Sequence, residues 1–242
     1  MSAAPKTAMV LAAGHGVRMR PITDNLPKPL VRIAGKTLLD WGLDSLAAAG
    51  VETAVVNVHY LPDQIVAHVA SRKMPKVVIS DERAGLLDSA GGIVKALKTL
   101  GPEPFFILNA DTFWIDRGAS NLARLAAEWD AARMDILLML ADLESATGHS
   151  GGVDFLRDAD GRLTRAAGAT SGFIYAGAAL IHPRLFAGKP IEKSSLNRYF
   201  DEAIARGRLF GLPLAGSWIT VGTPDAIAPA EAAVARAKAG KE

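Results

Sequence analysis

Hydrophobic positions follow two different patterns along the first half of the chain. Residues 8–12 (AMVLA) form a continuous apolar run that stops before Gly14, as in a strand buried on both faces of a parallel sheet. Residues 37–49 (TLLDWGLDSLAAA) instead space their large apolar side chains at helical intervals, and Gly50 follows where a helix stop is expected. A strand followed by a helix is therefore the unit that the sequence predicts.

The same alternation continues beyond Gly50. Further strands are predicted at residues 53–58, 76–79, 104–109, 135–141 and 173–181, and further helices at residues 62–71, 92–100, 120–132 and 231–238. The glycine-rich stretch 149–154 and the turn at 158–161 are typical of hairpins instead. Strands separated by helices favour a mostly parallel sheet with right-handed crossovers. We therefore predict an α/β fold in which helices flank a mostly parallel, mixed sheet.

Composition narrows the class of protein. The 242 residues are half hydrophobic and no Ser/Pro-rich linker divides them, so we expect residues 1–242 to form a single domain. The formal net charge is only +2, and the basic residues form no clustered stripe. Both observations disfavour nucleic acid as a partner but are compatible with an anionic small molecule. The absence of cysteine excludes disulfide and thiolate chemistry and fits a reducing compartment. The apolar stretches are too short for a membrane span, so we expect a cytoplasmic protein.

The loop after the first predicted strand carries the residues of an anion site. Ligands of such sheets bind beyond the carboxyl ends of the strands. Here Gly14 and Gly16 allow backbone N–H groups to turn toward one point, and Arg18 and Lys28 add positive charge. Lys28 stands between two prolines, which favour an extended backbone that aims its side chain. Taken alone, the two glycines favour a simple tight turn, whereas their combination with Arg18 and Lys28 favours the anion site.

Two further stretches suggest chemistry at strand ends. Asp111 follows the apolar run 105–109 directly, where a carboxylate is placed to hold Mg²⁺ together with phosphate oxygens. The alternative is a capping aspartate, because a loop and then a helix are indicated after it. Residues 87–93 (LDSAGGI) form a glycine-rich turn entering a helix, whose open backbone has room for a nucleobase or a phosphate.

Two nucleotide-binding motifs are incomplete. Gly14 and Gly16 begin a dinucleotide fingerprint, but Met19 stands where its third glycine belongs, which disfavours a nicotinamide enzyme. Residues 34–37 (AGKT) are similar to the end of a P-loop, but Leu30 replaces its first glycine. The five histidines have no metal-ligand spacing, so we expect none to be catalytic.

Several blocks of the sequence together resemble the signature of sugar-1-phosphate nucleotidylyltransferases. In chain order they are LAAGHGVRMRP with PKPL (residues 11–21 and 27–30), DSAGGIVKAL (88–97), NAD (109–111), YAGAALIHPRLF (175–186) and WITVGTPDAI (218–227). Within this family, the DSAGGI and IHPRLF blocks most resemble the bacterial uridylyltransferases of N-acetylmuramate 1-phosphate, which serve peptidoglycan recycling in cell-wall metabolism. The mannose-1-phosphate guanylyltransferases remain the alternative.

The resemblance implies a Rossmann-like sheet with a smaller β-rich portion that binds the sugar. It also implies one reaction, in which a sugar 1-phosphate attacks the α-phosphorus of a nucleoside triphosphate, with UTP favoured, and yields a nucleotide-sugar and pyrophosphate. The expected partners are these two substrates and Mg²⁺, without nucleic acid or membrane. The expected state is a monomer or a homodimer.

By position in the family, three sets of residues receive roles. The catalytic residues are Arg18, Lys28 and Asp111, of which Asp111 carries Mg²⁺. The nucleotide-binding residues are Leu11, Ala12, Ala13, Gly14, Gly16, Asp88, Gly91 and Asn109. The sugar-binding residues are Asp154, Thr170, Tyr175 and Gly177, and for Tyr175 an ordinary core aromatic remains the alternative.

The sequence departs from the family at Thr220, where an aspartate usually supplies the second Mg²⁺ ligand. A neutral hydroxyl is a poorer ligand, so we expect activity with a raised Mg²⁺ requirement. The same departure leaves open another class of protein, a sensor or regulatory subunit that binds a nucleotide-sugar without turnover. The family's E-K-P sequence for sugar hydroxyls is also missing, because Ser194 follows Glu192 and Lys193.

Overall fold

The computed structural model describes residues 4–239. The strands, in chain order, are β1 (Thr7–Leu11), β2 (Arg32–Ile33), β3 (Lys36–Thr37), β4 (Thr53–Val58), β5 (Lys76–Asp81), β6 (Phe105–Asn109), β7 (Thr112–Asp116), β8 (Ile136–Asp142), β9 (Ala146–Thr147), β10 (Phe155–Arg157), β11 (Leu163–Arg165), β12 (Phe173–Ile181), β13 (Leu209–Pro213) and β14 (Gly216–Thr220). The α-helices are α1 (Leu38–Ala48), α2 (Pro62–Val69), α3 (Asp88–Leu100), α4 (Asn121–Glu128), α5 (Leu196–Ala205) and α6 (Ile227–Ala239). The predicted α/β fold is confirmed.

The central sheet is parallel where the sequence predicts buried strands. β5, β4, β1 and β6 lie side by side in that order, and each neighbouring pair is parallel. Ala8 and Val10 of β1 pack into a core cluster with α1, α2 and α4, whereas Met9 packs with α3 and α5 on the other face. Burial on both faces explains the uninterrupted apolar sequence of β1. The four carboxyl ends consequently meet at one edge of the sheet.

The direction of the sheet changes at β12. This strand runs antiparallel to β6 on one side and to β8 on the other, and β13 adds a parallel neighbour to β8. The β10–β11 hairpin joins the beginning of β12 through the pair Phe155 and Phe173. The hairpin expected around residues 158–161 is therefore confirmed, whereas residues 149–154 contain no strand and form no hairpin. The nine-stranded sheet is mixed, as predicted.

A bulge interrupts β12 where it passes the end of β6. The register with β8 shifts between Tyr175 and Ala179. Gly177 lies in the shifted stretch with a φ of 78°, a conformation that favours glycine. A β-carbon at this position would overlap the hydroxyl of Thr112. The bulge therefore lets β12 lie directly against the first residue of β7.

A second sheet consists of β7, β14 and β9 and was not predicted from the sequence. β7 begins directly after Asp111 and pairs antiparallel with β14, so that Trp114 lies opposite Trp218. These strands are short and their partners are far apart in the chain, which leaves no local pattern to detect. The expectation that a loop follows Asp111 is therefore wrong.

Three predicted helix boundaries are each displaced by four residues. α3 begins at Asp88 instead of residue 92, because the glycines of its first turn are helical. α4 ends at Glu128 instead of residue 132, since Trp129 adopts an extended backbone without a glycine or proline to mark the stop. α6 begins at Ile227 instead of residue 231, because Pro229 lies in the first turn, where its missing N–H costs little. α5 was not predicted.

α6 packs outside the central sheet. Ala230 and Val234 join a cluster with Met19, from the loop after β1, and Ile219 of β14. This contact ties the loop after β1 to the second sheet. Among residues 4–239, no helix combines the length and the apolar character that crossing a membrane requires.

Candidate active site

The carboxyl ends of the parallel strands open into a cavity of about 540 Å³. That volume is typical of small-molecule sites. The lining residues are Leu11, Ala12, Ala13, Gly14, Gly16, Val17, Arg18, Lys28, Pro29, Asn57, Leu86, Asp88, Ser89, Asn109, Ala110, Asp111, Lys193 and Gly222. The cavity thus brings together every predicted catalytic residue and every predicted nucleotide-binding residue except Gly91.

Gly16 joins the loop after β1 to the segment that carries Lys28. Its φ of 63° is left-handed, and an added β-carbon would lie 3.0 Å from Cβ of Lys28. The Thr23 hydroxyl donates to the Gly16 carbonyl at 2.8 Å and fixes this approach. Gly14, by contrast, borders open space, because a β-carbon added there would meet no atom within 4 Å. Glycine is therefore favoured at position 16 by the backbone conformation and the close packing, whereas packing does not require glycine at position 14.

Lys28 is buried, with 8% of its surface exposed, and its Nζ lies 2.8 Å from Oδ2 of Asp111. The extended backbone expected for Lys28 is wrong, because residues Lys28–Leu30 form a 3₁₀ turn. The Leu30 amide closes that turn by donating to the Pro27 carbonyl at 2.8 Å. Lys28 is therefore aimed by the turn and by its carboxylate partner, and not by the preference of a residue before proline.

Positive charge prevails around the cavity. Arg18, Lys28 and Lys193 line it, against the carboxylates of Asp88 and Asp111. Of these, Asp88 is engaged locally, since its Oδ1 accepts from the amide of Ser89 at 2.6 Å. The arrangement suits a ligand with several negative charges, and it leaves Asp111 as the carboxylate that faces that ligand.

The first turn of α3 is covered by the chain itself. The amides of Ala90 and Gly91 both donate to the Ser194 carbonyl, at 2.9 and 3.2 Å, and the Ser194 amide returns a bond to Leu87. A β-carbon on Gly91 would overlap the carbonyl of Glu192. The expected seat for a phosphate or base at these amides is therefore filled, and Gly91 serves the close approach of residues 192–194. That approach brings Lys193 to the cavity wall.

The predicted sugar-binding residues do not line the cavity. Asp154 accepts from the Tyr175 amide at 2.8 Å, Gly177 forms the bulge of β12, and Thr170 is exposed. The Tyr175 hydroxyl is buried and has no hydrogen-bond partner among residues 4–239. Burial, and then the negative charge of Asp111, raise the pKa of Tyr175. The phenol therefore stays protonated and has a hydrogen to donate.

Thr220 lies at the end of β14, opposite Thr112, and is not part of the lining. The next residue, Val221, donates its amide to the Asp111 carbonyl at 3.1 Å. β14 thus fixes the backbone of Asp111 and supplies no charge to it. Within the described part of the chain, no three His, Asp or Glu side chains cluster as metal ligands.

Several lining residues were not individually assigned to the site from the sequence: Val17, Pro29, Asn57, Leu86, Ser89, Ala110, Lys193 and Gly222. Asn57 had a usable signal, because it is a polar residue at the carboxyl end of a predicted apolar strand. Lys193 had none, since it reaches the cavity only through the contact between Gly91 and Glu192.

The chain is similar to known proteins over almost its full length. Residues 8–189 match the family model of the MobA-like NTP transferase domain. The N-acetylmuramate alpha-1-phosphate uridylyltransferase of Caulobacter vibrioides is 44% identical, over 98% of this chain and 100% of that protein. The enzyme of the same name from Neisseria meningitidis is 33% identical, over 89% and 93%. The solved inositol-1-phosphate CTP transferase of T. maritima shares the fold, with a TM-score of 0.79, 18% identity and 99% of each chain covered.

We expect Gly16→Ala to destabilise the protein and Gly14→Ala to leave its stability unchanged. Alanine at position 16 is strained by the left-handed backbone and crowds Lys28, whereas position 14 has open space. A left-handed non-glycine residue costs about 1–2 kcal/mol, which lowers Tm by a few degrees in a chain of this size. Thermal unfolding of both variants measures the difference. Equal melting temperatures would contradict the role assigned to Gly16.

Proposed function

This chain belongs to the MobA-like NTP transferases and is a sugar-1-phosphate nucleotidylyltransferase, and we propose that it joins UTP to N-acetylmuramate 1-phosphate. The chemistry rests on one observation, the ion pair between Lys28 and Asp111 at the wall of a cavity suited to anions. The choice of substrates rests on the two uridylyltransferases that align with nearly the whole chain.

The proposed reaction is a direct phosphoryl displacement. An oxygen of the sugar 1-phosphate forms a bond to the α-phosphorus of UTP, while the bond from that phosphorus to the bridging oxygen breaks and pyrophosphate leaves with the electron pair. The nucleophile is already an anion at neutral pH, so no side chain has to remove a proton from it. Catalysis then consists of positioning two repelling anions and of offsetting their charge.

Different cavity residues are assigned to different parts of the substrates. We assign the triphosphate to the amides of Gly14 and Gly16 and to the guanidinium of Arg18, which carries no ion pair with a described carboxylate. Lys28 lies deeper and meets the reacting phosphates. In the free protein Asp111 offsets the charge of Lys28 at 2.8 Å, and arriving phosphates take over part of that role. Lys193 adds a third positive charge to the same cavity.

Mg²⁺ fits this donor set as an ion that arrives with the substrate. It takes one or two carboxylates and otherwise prefers phosphate and water oxygens, so Asp111 alone suffices on the protein side. When bound, the ion would neutralise charge on the reacting phosphates. The retained Arg18, Lys28 and Asp111 support an enzyme in preference to a sensor.

The sugar site is proposed next to Asp111, beside the bulge of β12. Tyr175 supports this placement, because its buried hydroxyl has no partner among residues 4–239 and experiences the charge of Asp111. Asp154 orients this strand through the Tyr175 amide. Thr170 and Gly177 stay predictions as sugar-binding residues, and so does the single domain over residues 1–242.

Pyrophosphate release tests the proposed substrates. UTP, GTP, dTTP, CTP and ATP are each combined with the 1-phosphates of N-acetylmuramate, N-acetylglucosamine, glucose and mannose. We expect the highest kcat/KM for UTP with N-acetylmuramate 1-phosphate. A preference for GTP with mannose 1-phosphate would replace our proposal with the guanylyltransferase alternative, and nucleotide binding without turnover of any pair would favour the sensor.

Lys28→Met should lower kcat by about 100-fold or more, the usual loss when one preorganised charge is removed from a reacting group. Methionine keeps most of the apolar stem and removes only the ammonium. The matched control is Lys36→Met, which breaks another lysine–aspartate pair, Lys36 to Asp44 at 2.7 Å, at the surface. The control should keep kcat within about twofold. Near-normal turnover of Lys28→Met would remove Lys28 from the mechanism.

Thr220→Asp should lower the Mg²⁺ concentration needed for half-maximal turnover, because it restores a carboxylate at the position of the usual second ligand. Thr164→Asp adds the same charge on the β10–β11 hairpin and controls for net charge. Turnover is measured as a function of Mg²⁺ at saturating substrates. If the unmodified protein and Thr220→Asp saturate at the same Mg²⁺ concentration, the expected raised requirement is wrong.

A further inference from the structure

Glu82 is a buried carboxylate beneath the cavity, with 1% of its surface exposed. Both of its oxygens accept from uncharged amides. Oε1 accepts from the side-chain Nδ2 of Asn57 at 2.8 Å, and Oε2 accepts from the backbone amide of Leu87 at 3.0 Å. A buried charge satisfied in this way is costly to disturb, because either amide would lose a charge-assisted bond.

Asn57 extends the connection to the loop after β1. Its Oδ1 accepts from the Ala12 amide at 2.7 Å, and its own exposed fraction is 3%. Ala12, Asn57, Glu82 and Leu87, which we call the Glu82 network, thereby join the end of β1, the end of β4 and the segment before α3. Ala12 and Asn57 line the cavity, as do the neighbours of Leu87 on either side, whereas Glu82 does not.

The carboxylate dictates how the Asn57 amide is oriented. A carboxylate only accepts, so Asn57 must turn its Nδ2 toward Glu82, and its Oδ1 is then directed to the Ala12 amide. α3 packs closely against this pair of side chains. A β-carbon on Gly92 would lie 2.7 Å from Oε1 of Glu82 and 2.9 Å from Nδ2 of Asn57, so only glycine allows this packing.

The backbone of Glu82 is held as firmly as its side chain. Its amide donates to the Val58 carbonyl at 2.8 Å, and its carbonyl lies 2.7 Å from Nδ1 of His59. A carbonyl only accepts, so Nδ1 of His59 is the donor in this contact. The backbone of Glu82 is therefore anchored by the last residue of β4 and by the residue that follows it.

We propose that Glu82 is a positioning residue for the nucleotide. It touches no substrate, but it sets the Asn57 amide, the Ala12 backbone and the turn before α3 in one arrangement on the cavity wall. This inference rests on the proposed function, in so far as the cavity receives a nucleoside triphosphate. The sugar 1-phosphate is proposed to lie beside β12, away from these residues, so we expect only nucleotide affinity to depend on the network.

Glu82→Gln keeps the shape of the side chain and introduces one defined hydrogen-bonding conflict. The new amide has one acceptor and one donor end, so an N–H must face either the Asn57 Nδ2 or the Leu87 amide, and a donor meets a donor. Rotating Asn57 only moves the conflict to the Ala12 amide. We expect KM for the triphosphate to rise about tenfold or more, the scale of one unsatisfied buried group. KM for the sugar 1-phosphate should change less than about twofold.

The double variant Glu82→Gln with Asn57→Asp exchanges the two functional groups and keeps the net charge. The new glutamine donates to the new aspartate and accepts from Leu87, and the aspartate accepts from Ala12, so every donor again has an acceptor. We expect nucleotide KM within about threefold of the unmodified protein, whereas Asn57→Asp alone, with two facing carboxylates, is impaired. This rescue separates positioning from a loss of packing.

Direct titration with UTP and GTP, together with thermal unfolding, distinguishes the outcomes. Unchanged nucleotide affinity and KM in Glu82→Gln would overturn the inference, even with a lowered Tm. Failure of the double variant to recover affinity, while it recovers Tm, would overturn it as well. If the unmodified protein binds nucleotide but catalyses no transfer, the proposed function fails and the affinities still decide the role of Glu82. If the unmodified protein binds no nucleoside triphosphate, both conclusions fall together.

Discussion

The ion pair between Lys28 and Asp111 is the constraint on which the site depends. A buried ammonium is unfavourable unless a carboxylate offsets the loss of water, so both side chains must arrive at one point. Lys28 reaches it because Gly16 lets the loop after β1 pack against its Cβ. Asp111 reaches it because it lies just beyond the end of β6, and because the amide of Val221, directly after β14, donates to its carbonyl. The contact thus ties three distant stretches of the chain to the edge of the parallel sheet.

The parts of the fold that the sequence predicts are those with local causes. β1 is apolar on both faces, which identified the centre of a parallel sheet, and the polar residues at strand ends located the cavity. Arg18, Lys28 and Asp111 were found in this way and lie together in the structure. The family resemblance, carried by separate blocks, extended that prediction to the reaction and is confirmed by the relatives.

The features that the sequence does not predict depend on contacts between segments that are far apart in the chain. β7 and β14 exist because they pair with each other, and α4 ends at Glu128 without any stop residue. Lys28 adopts a 3₁₀ turn although proline follows it, because tertiary packing outweighs the local preference. Lys193 and Glu82 have no sequence signal, since the first is delivered by a chain crossing and the second acts through Asn57.

The crossing of residues 192–194 over the first turn of α3 has a consequence for how the cavity attracts anions. A helix start usually offers free amides and the positive end of its dipole to a phosphate. Here the carbonyl of Ser194 accepts from the amides of Ala90 and Gly91. The positive end of the helix dipole therefore faces a protein carbonyl instead of a ligand. Long-range attraction on this side therefore comes from the exposed side chains of Arg18 and Lys193. Dissolved salt screens such exposed charges, which makes ionic strength a natural control on substrate capture.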